Sequence, residues 1–166
     1  MATFVLWLHV VAAAVWLGGL VFIAAVLAPV LRSPELAAHS AALMRTAGRR
    51  FRTIGWMALV TLIVTGLWNL VHWGVTPGAL LRSDTWASTF GQVLGVKLVL
   101  VALVLCASVI HDFSVGPRAG QAAAADPRSP EASRLRRAAQ WLGRFNLLAS
   151  LLIVALGLLL TRSSGW

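Results

Sequence analysis

Residues Phe90 to Phe113 read FGQVLGVKLVLVALVLCASVIHDF, an apolar run broken by one full charge, Lys97, before it closes on His111 and Asp112. At about 1.5 Å per residue such a helix reaches across the roughly 30 Å hydrocarbon core of a bilayer. Three further stretches have the same character: Thr3 to Leu31, Ile54 to Trp73 and Trp141 to about Thr161. With their connections these four spans use almost the whole 166-residue chain. The expected fold is therefore all-α: an integral membrane four-helix bundle forming one transmembrane domain over residues 1–166, with lipid as its solvent. Composition agrees, because 59% of residues are hydrophobic and only 11% charged, giving a mean hydropathy of +0.83. That is too apolar for a water-soluble domain of this size.

The boundaries carry their own signals. Thr3 to Leu31 lacks a basic leading region and is too long for the apolar core of a secretory signal, so it is expected to be retained as a helix. Pro29 and Pro34 stand near its end, where missing backbone donors disfavour continuation. Ser33 to Arg52 is expected to hold a short surface helix, with Ser33 as N-cap, Pro34 at the first helical position and Glu35 in the first turn. Gly74, Pro77 and Gly78 bound the second span. Ser114 to Arg137 contains Gly116, Pro117, Ala122 to Ala125, Pro127 and Pro130, and is expected to be a mobile loop. No repeat is apparent at the scale of a helix pair.

The formal net charge is +9, which in a soluble protein would suggest nucleic acid. Here the basic residues flank the apolar spans. Arg32, Arg45, Arg49, Arg50 and Arg52 lie before the second span, and Arg118, Arg128, Arg134, Arg136 and Arg137 before the fourth. The connection between the second and third carries only Arg82 against Asp84. This is membrane topology rather than nucleic-acid binding, and the positive-inside rule places both termini on the outer side, the periplasm in a bacterial inner (plasma) membrane. Trp7, Trp73 and Trp86 fall near the expected outer boundary, and Trp56 and Trp141 near the inner one, as an aromatic belt requires. The single cysteine, Cys106, excludes an intrachain disulfide and a CxxC metal motif.

Ionisable and polar groups inside the spans are the functional candidates. His9 lies near the outer end of the first helix and His72 near the outer end of the second, so both face one leaflet. Lys97 lies seven residues, roughly 10 Å, inside the outer end of the third helix. A charged lysine at such depth costs about 2.5 to 3.5 kcal/mol on insertion scales, so it needs a partner, water, deprotonation or a snorkelling route to the headgroups. Thr61, Thr65, Asn69 and His72 are spaced by four, four and three residues and share one helix face. They serve either as interhelical hydrogen-bonding groups or as a shell that orients a ligand. Gly18, Gly19, Gly66, Gly91 and Gly95 permit close packing, with Gly91 and Gly95 forming a GxxxG, or leave room for a flat cofactor. His111 lies about 21 Å from Lys97 along the helix and has no intramembrane histidine beside it. With Asp112 it is expected to bond the last helix carbonyls or the loop arginines, and it stands as a less favoured second site.

His9 followed by Trp16-Leu17-Gly18-Gly19, then Arg50-Phe51, Thr65-Gly66, Thr89-Phe90-Gly91 and Lys97-Leu98, resembles the CopD copper-resistance family of inner-membrane proteins, in the form of its four-helix core. His111-Asp112-Phe113 with Gly116-Pro117-Arg118 departs from the Asn-Arg of that pattern. The resemblance implies copper movement or tolerance at the periplasmic face, with a copper ion held by His9. With His72, this makes one metal centre in the outer leaflet. Lys97, Asn69, Thr65 and Trp16 would form its surrounding shell or add a ligand. A periplasmic copper carrier or a redox partner, and a homo-oligomer, would be its protein partners besides the lipid bilayer. The chemistry is mixed, because imidazole suits Cu(II) whereas Cu(I) favours sulfur, and there is no Met-rich or Cys-rich path.

Size, helix count and the His plus Lys pairing are also similar to the HemJ type of protoporphyrinogen oxidase. In that reading His9 is an axial ligand of haem b, with His72 or Lys97 as second ligand or propionate partner. Enzymatic activity follows only from this second resemblance, since no nucleophile with its base, carboxylate pair or phosphate loop is present. A structural subunit of a membrane complex, using the same groups as interhelical pairs, is the third reading.

Overall fold

Hydrocarbon offers no water to a backbone N–H or C=O, so an apolar segment that crosses it must close its own hydrogen bonds as helix. The computed structural model of the protein describes residues 1–36 and 38–163, and helix is the only regular secondary structure among them. Four helices are long and apolar enough to cross a membrane: α1 (Ala2–Val30), α2 (Ser40–His72), α5 (Thr89–Ala125) and α6 (Pro130–Ser163). Two short helices, α3 (Pro77–Leu80) and α4 (Ser83–Ala87), lie between α2 and α5. The four-helix membrane fold is thus as expected, and the chain beyond residue 163 lies outside the described residues.

The helices α1 and α2 pack as one pair and α5 and α6 as another, joined along α1 and α6. The shared core is built from Trp16, Ala58, Leu59, Val104 and Ala149, with Leu20, Phe51 and Leu100 against it. Small side chains at these contacts let the helix backbones approach closely. Met57, Val64 and Leu148 are more than 60% exposed and present an apolar surface to lipid.

The helices run further than the apolar stretches at the arginine-rich end. The expected short surface helix is instead the first part of α2, which starts at Ser40, and the segment expected as a mobile loop is helical through Ala125 and again from Pro130. Hydropathy marks the depth of lipid. Ala, Arg, Leu and Gln, all good helix formers, carry the helices beyond it.

Two prolines bend this pattern without ending it. A π-helical turn, Ile23–Leu27, precedes Pro29 in α1, and a second, His111–Val115, precedes Pro117 in α5, at the same offset. A proline inside a helix donates no hydrogen bond and its ring strikes the carbonyl four residues back, so the turn before it widens. In α5 the Gly116 N–H reaches back five residues to the His111 carbonyl. The Asp112 carbonyl is left facing a residue without a donor, and it accepts from Arg52 Nη1 at 3.0 Å. Gly116 is needed for this closure, because a Cβ there would stand 2.8 Å from the His111 carbonyl oxygen.

The opposite end is closed by caps. At the end of α2 the Val75 N–H bonds the Leu70 carbonyl and the Gly74 N–H the Val71 carbonyl, with Gly74 at φ +80°, a Schellman motif. Ser88 caps α5 by accepting from the Gly91 N–H at 3.0 Å. The Gly91/Gly95 pair packs against α4 rather than against another spanning helix: Gly91 faces the Thr85 carbonyl and Gly95 the Trp86 ring. Gly91→Ala is therefore expected to lower stability by about 1–3 kcal/mol. Gly18→Ala, where a Cβ meets nothing, is expected to leave stability unchanged or raise it by up to about 1 kcal/mol. Thermal unfolding of both variants in detergent checks this; equal melting temperatures would show that α4 does not dock on α5 as described.

Candidate functional site

His9, on the first turns of α1, is half-buried against α2. Its Nδ1 lies 2.8 Å from Thr65 Oγ1, and its ring packs on Gly66, where a Cβ would stand 3.3 Å from His9 Cε1. Thr65 is 4% exposed, and its hydroxyl donates to the Thr61 carbonyl at 2.6 Å. A hydroxyl has one proton. Because that proton is committed to Thr61, Thr65 can only accept from His9. This favours the Nδ1–H tautomer, in which the lone pair of the imidazole is on Nε2. The backbone carbonyl of Leu62 is a further acceptor near the ring. This is the arrangement in which a histidine binds a metal or haem iron: one ring nitrogen fixed by an oxygen acceptor, the other available.

Lys97 on α5 comes from the other helix pair. Its Nζ is directed onto α6, where a Cβ at Gly157 would stand 3.3 Å away. Gly157 gives the ammonium its space. His9, Thr65 and Gly66 are thus brought together, and Lys97 lies at the same, arginine-poor end of the bundle.

The other expected members stand apart. His72 is exposed and stacks on Trp68, with ring centroids 4.6 Å apart and an interplanar angle of 13°. It lies seven residues beyond Thr65, about 10 Å further along α2, and makes no hydrogen bond to His9 among the described residues. The expected His9 and His72 pair is not assembled, because both histidines sit near one end but at different depths. Asn69 is 8% exposed and lies one turn above Thr65, on the side toward His72. Trp16 belongs to the core rather than to the site: it is 7% exposed, stacks on Phe51 at 5.9 Å and donates from Nε1 to Ser150 Oγ at 3.0 Å.

At the arginine-rich end His111 pairs with Asp112, Nδ1 to Oδ1 at 2.8 Å. Asp112 Oδ2 also accepts from Trp56 Nε1 at 3.0 Å. With Arg52 on the Asp112 carbonyl, this cluster ties α2 to α5. The helix-end role expected for His111 and Asp112 becomes a tie at a π-helical turn inside a continuing helix. Trp56, expected in the interfacial belt, is engaged in it.

Three polar residues escaped the sequence reading. Ser108, Asn146 and Ser150 are each no more than 5% exposed, and Asn146 Nδ2 donates to Ser108 Oγ at 3.1 Å. Their signal was the four-residue spacing of Asn146 and Ser150 within an apolar helix. Among the described residues no group of three or more His, Cys, Asp or Glu side chains is placed to hold a metal ion. A metal at His9 would need ligands of another kind.

The family described as copper resistance protein D matches residues 45–160, which take in all but the start of α2, the whole of α5 and all but the end of α6. His9 lies before the matched segment, and Thr65, Gly66 and Lys97 lie within it. An uncharacterized protein of Aquifex aeolicus (strain VF5) is 34% identical over 155 residues, covering 92% of this chain and 90% of that protein. No solved structure matches. With the four-helix membrane fold, these matches establish that the chain belongs to the copper resistance protein D (CopD) family.

Proposed function

We propose that this protein binds a copper ion at His9, in the outer leaflet of the bacterial inner membrane, as a step in copper transport or tolerance. The observation that supports this reading is the chain from His9 Nδ1–H to Thr65 Oγ1 to the Thr61 carbonyl, which puts the imidazole lone pair on Nε2, where it can ligate a metal. The ion is cargo or substrate, delivered from the periplasmic side by a copper carrier. Thr65 orients the imidazole, and Gly66 allows the ring to lie against α2. His72, at another depth, stays outside this site.

Lys97 sets the sign of the local field. A cation beside His9 repels a copper ion, and two unit charges about 10 Å apart repel by about 1.7 kcal/mol at an effective dielectric of 20. Such a site binds its metal loosely, which suits a transported ion. The b-type haem reading uses the same histidine but needs the opposite from Lys97, attraction to a propionate. Lys97 therefore separates the two readings. Lys97→Met is expected to tighten copper binding about tenfold, as read by competition with a chromophoric chelator. A Soret band in the purified protein that weakens in Lys97→Met would overturn the copper reading in favour of haem.

His9→Ala is expected to abolish copper binding while the helical circular dichroism is retained. Thr65→Val, which removes only the acceptor, is expected to weaken binding about 10- to 100-fold, and Thr65→Ser to restore most of it. His72→Ala should bind as the parent does. Full binding by His9→Ala would leave the polar groups as interhelical pairs of a structural subunit.

The orientation follows from the arginines. Ten of them lie between Arg32 and Arg52 or between Arg118 and Arg137, so that end faces the cytoplasm and His9 the periplasm. In a Cys106→Ala background, a cysteine at Ser88 should react with an impermeant maleimide on intact spheroplasts. One at Ser129 should react only after lysis; the reverse pattern would invert the topology.

A further inference from the structure

The three buried polar residues of α5 and α6 form a group with one acceptor left over. Asn146 Oδ1 is fully buried and has no hydrogen-bond partner among the described residues. Its amide orientation is set by Ser108, whose hydroxyl donates to the Val104 carbonyl at 2.7 Å, so that Ser108 Oγ must accept from Asn146 Nδ2. One turn along the same face of α6, Ser150 Oγ accepts from Trp16 Nε1, and its own hydroxyl proton has no acceptor among the described residues. A buried carbonyl oxygen and a buried hydroxyl proton, each without a partner, thus stand four residues apart on one helix face, where Cβ atoms are about 5–6 Å apart. The two groups make no direct hydrogen bond among the described residues, and neighbours on one helix face lie within reach of one bridging water.

We propose that Asn146 and Ser150 form a built site for a single water molecule in the bundle core. The Ser150 O–H donates to the water, and the water donates to Asn146 Oδ1. All donors then point the same way: Trp16 Nε1–H to Ser150, Ser150 to water, water to Asn146, Asn146 Nδ2–H to Ser108, and Ser108 to the Val104 carbonyl. Hydrogen bonds aligned head to tail polarise and strengthen one another. The chain runs from α1 through α6 to α5, and so ties the helix that carries His9 to the helix that carries Lys97. A metal cation does not fit, because a hard cation needs several oxygen ligands. Here the site offers one carbonyl and a hydroxyl whose oxygen already accepts from Trp16.

Water-edited solid-state NMR on the whole protein in lipid bilayers tests this, reading magnetisation transfer from water to the Asn146 side-chain amide. Transfer as fast as to the amides of the Ser129 connection is expected in the parent. In Ser150→Ala it is expected to slow at least about threefold, as the water loses one of its two holders. Size-exclusion elution and helical circular dichroism identify variants that fold, and Ser150→Thr, which keeps the hydroxyl, should retain the transfer. Absent transfer in the parent, unchanged transfer in folded Ser150→Ala, or a shift of the Asn146 signals that depends on sodium or potassium would each overturn the proposal.

Discussion

A backbone or side-chain polar group placed in hydrocarbon must find its partner inside the protein, and that constraint shapes each part of this bundle. It makes helix the form of all four spans and dictates how the two intrahelical prolines are absorbed. Before Pro29 and Pro117 the helix widens into a π-helical turn instead of breaking. At the second of these the freed Asp112 carbonyl is taken up by Arg52 from the neighbouring helix. A residue pair that reads as a helix terminator, Gly116-Pro117, becomes a fixed feature of a longer helix.

The same constraint explains why polar side chains come in pairs across helices. His9 meets Thr65, Trp16 meets Ser150, Asn146 meets Ser108, and Trp56 meets Asp112. Each pair joins two different helices, at successive depths from the arginine-poor to the arginine-rich end. The bundle buries few large side chains, so these bonds and the small residues between helices specify its packing where a soluble protein would rely on the hydrophobic effect. Toward the arginine-poor end Lys97 brings a full charge, and the absence of a side chain at Gly157 gives it space.

Much of this was legible in the chain. Apolar length gave the number of spans, and Gly74 gave the end of α2 through its left-handed backbone. His9, Thr65 and Lys97 stood out as polar groups in apolar surroundings. The full length of the helices was not legible, because hydropathy reports the lipid and is silent on a helix that continues into water. Nor was the separation of His72 from His9, since counting residues from each helix end gives a leaflet but not a depth matched to within one hydrogen bond.

The amino-acid sequence alone determined that the chain spans a membrane four times and that its charge gathers at one end, because both depend on how many apolar or basic residues occur in a row. Only the tertiary structure decided which polar groups meet. It set His9 against Thr65, with Lys97 at the same end, and moved Trp16 into the core and Asp112 between two helices. The reason is geometric: a helix fixes its own neighbours at three and four residues, but the rotation and depth of one helix against another are fixed by packing along their whole length.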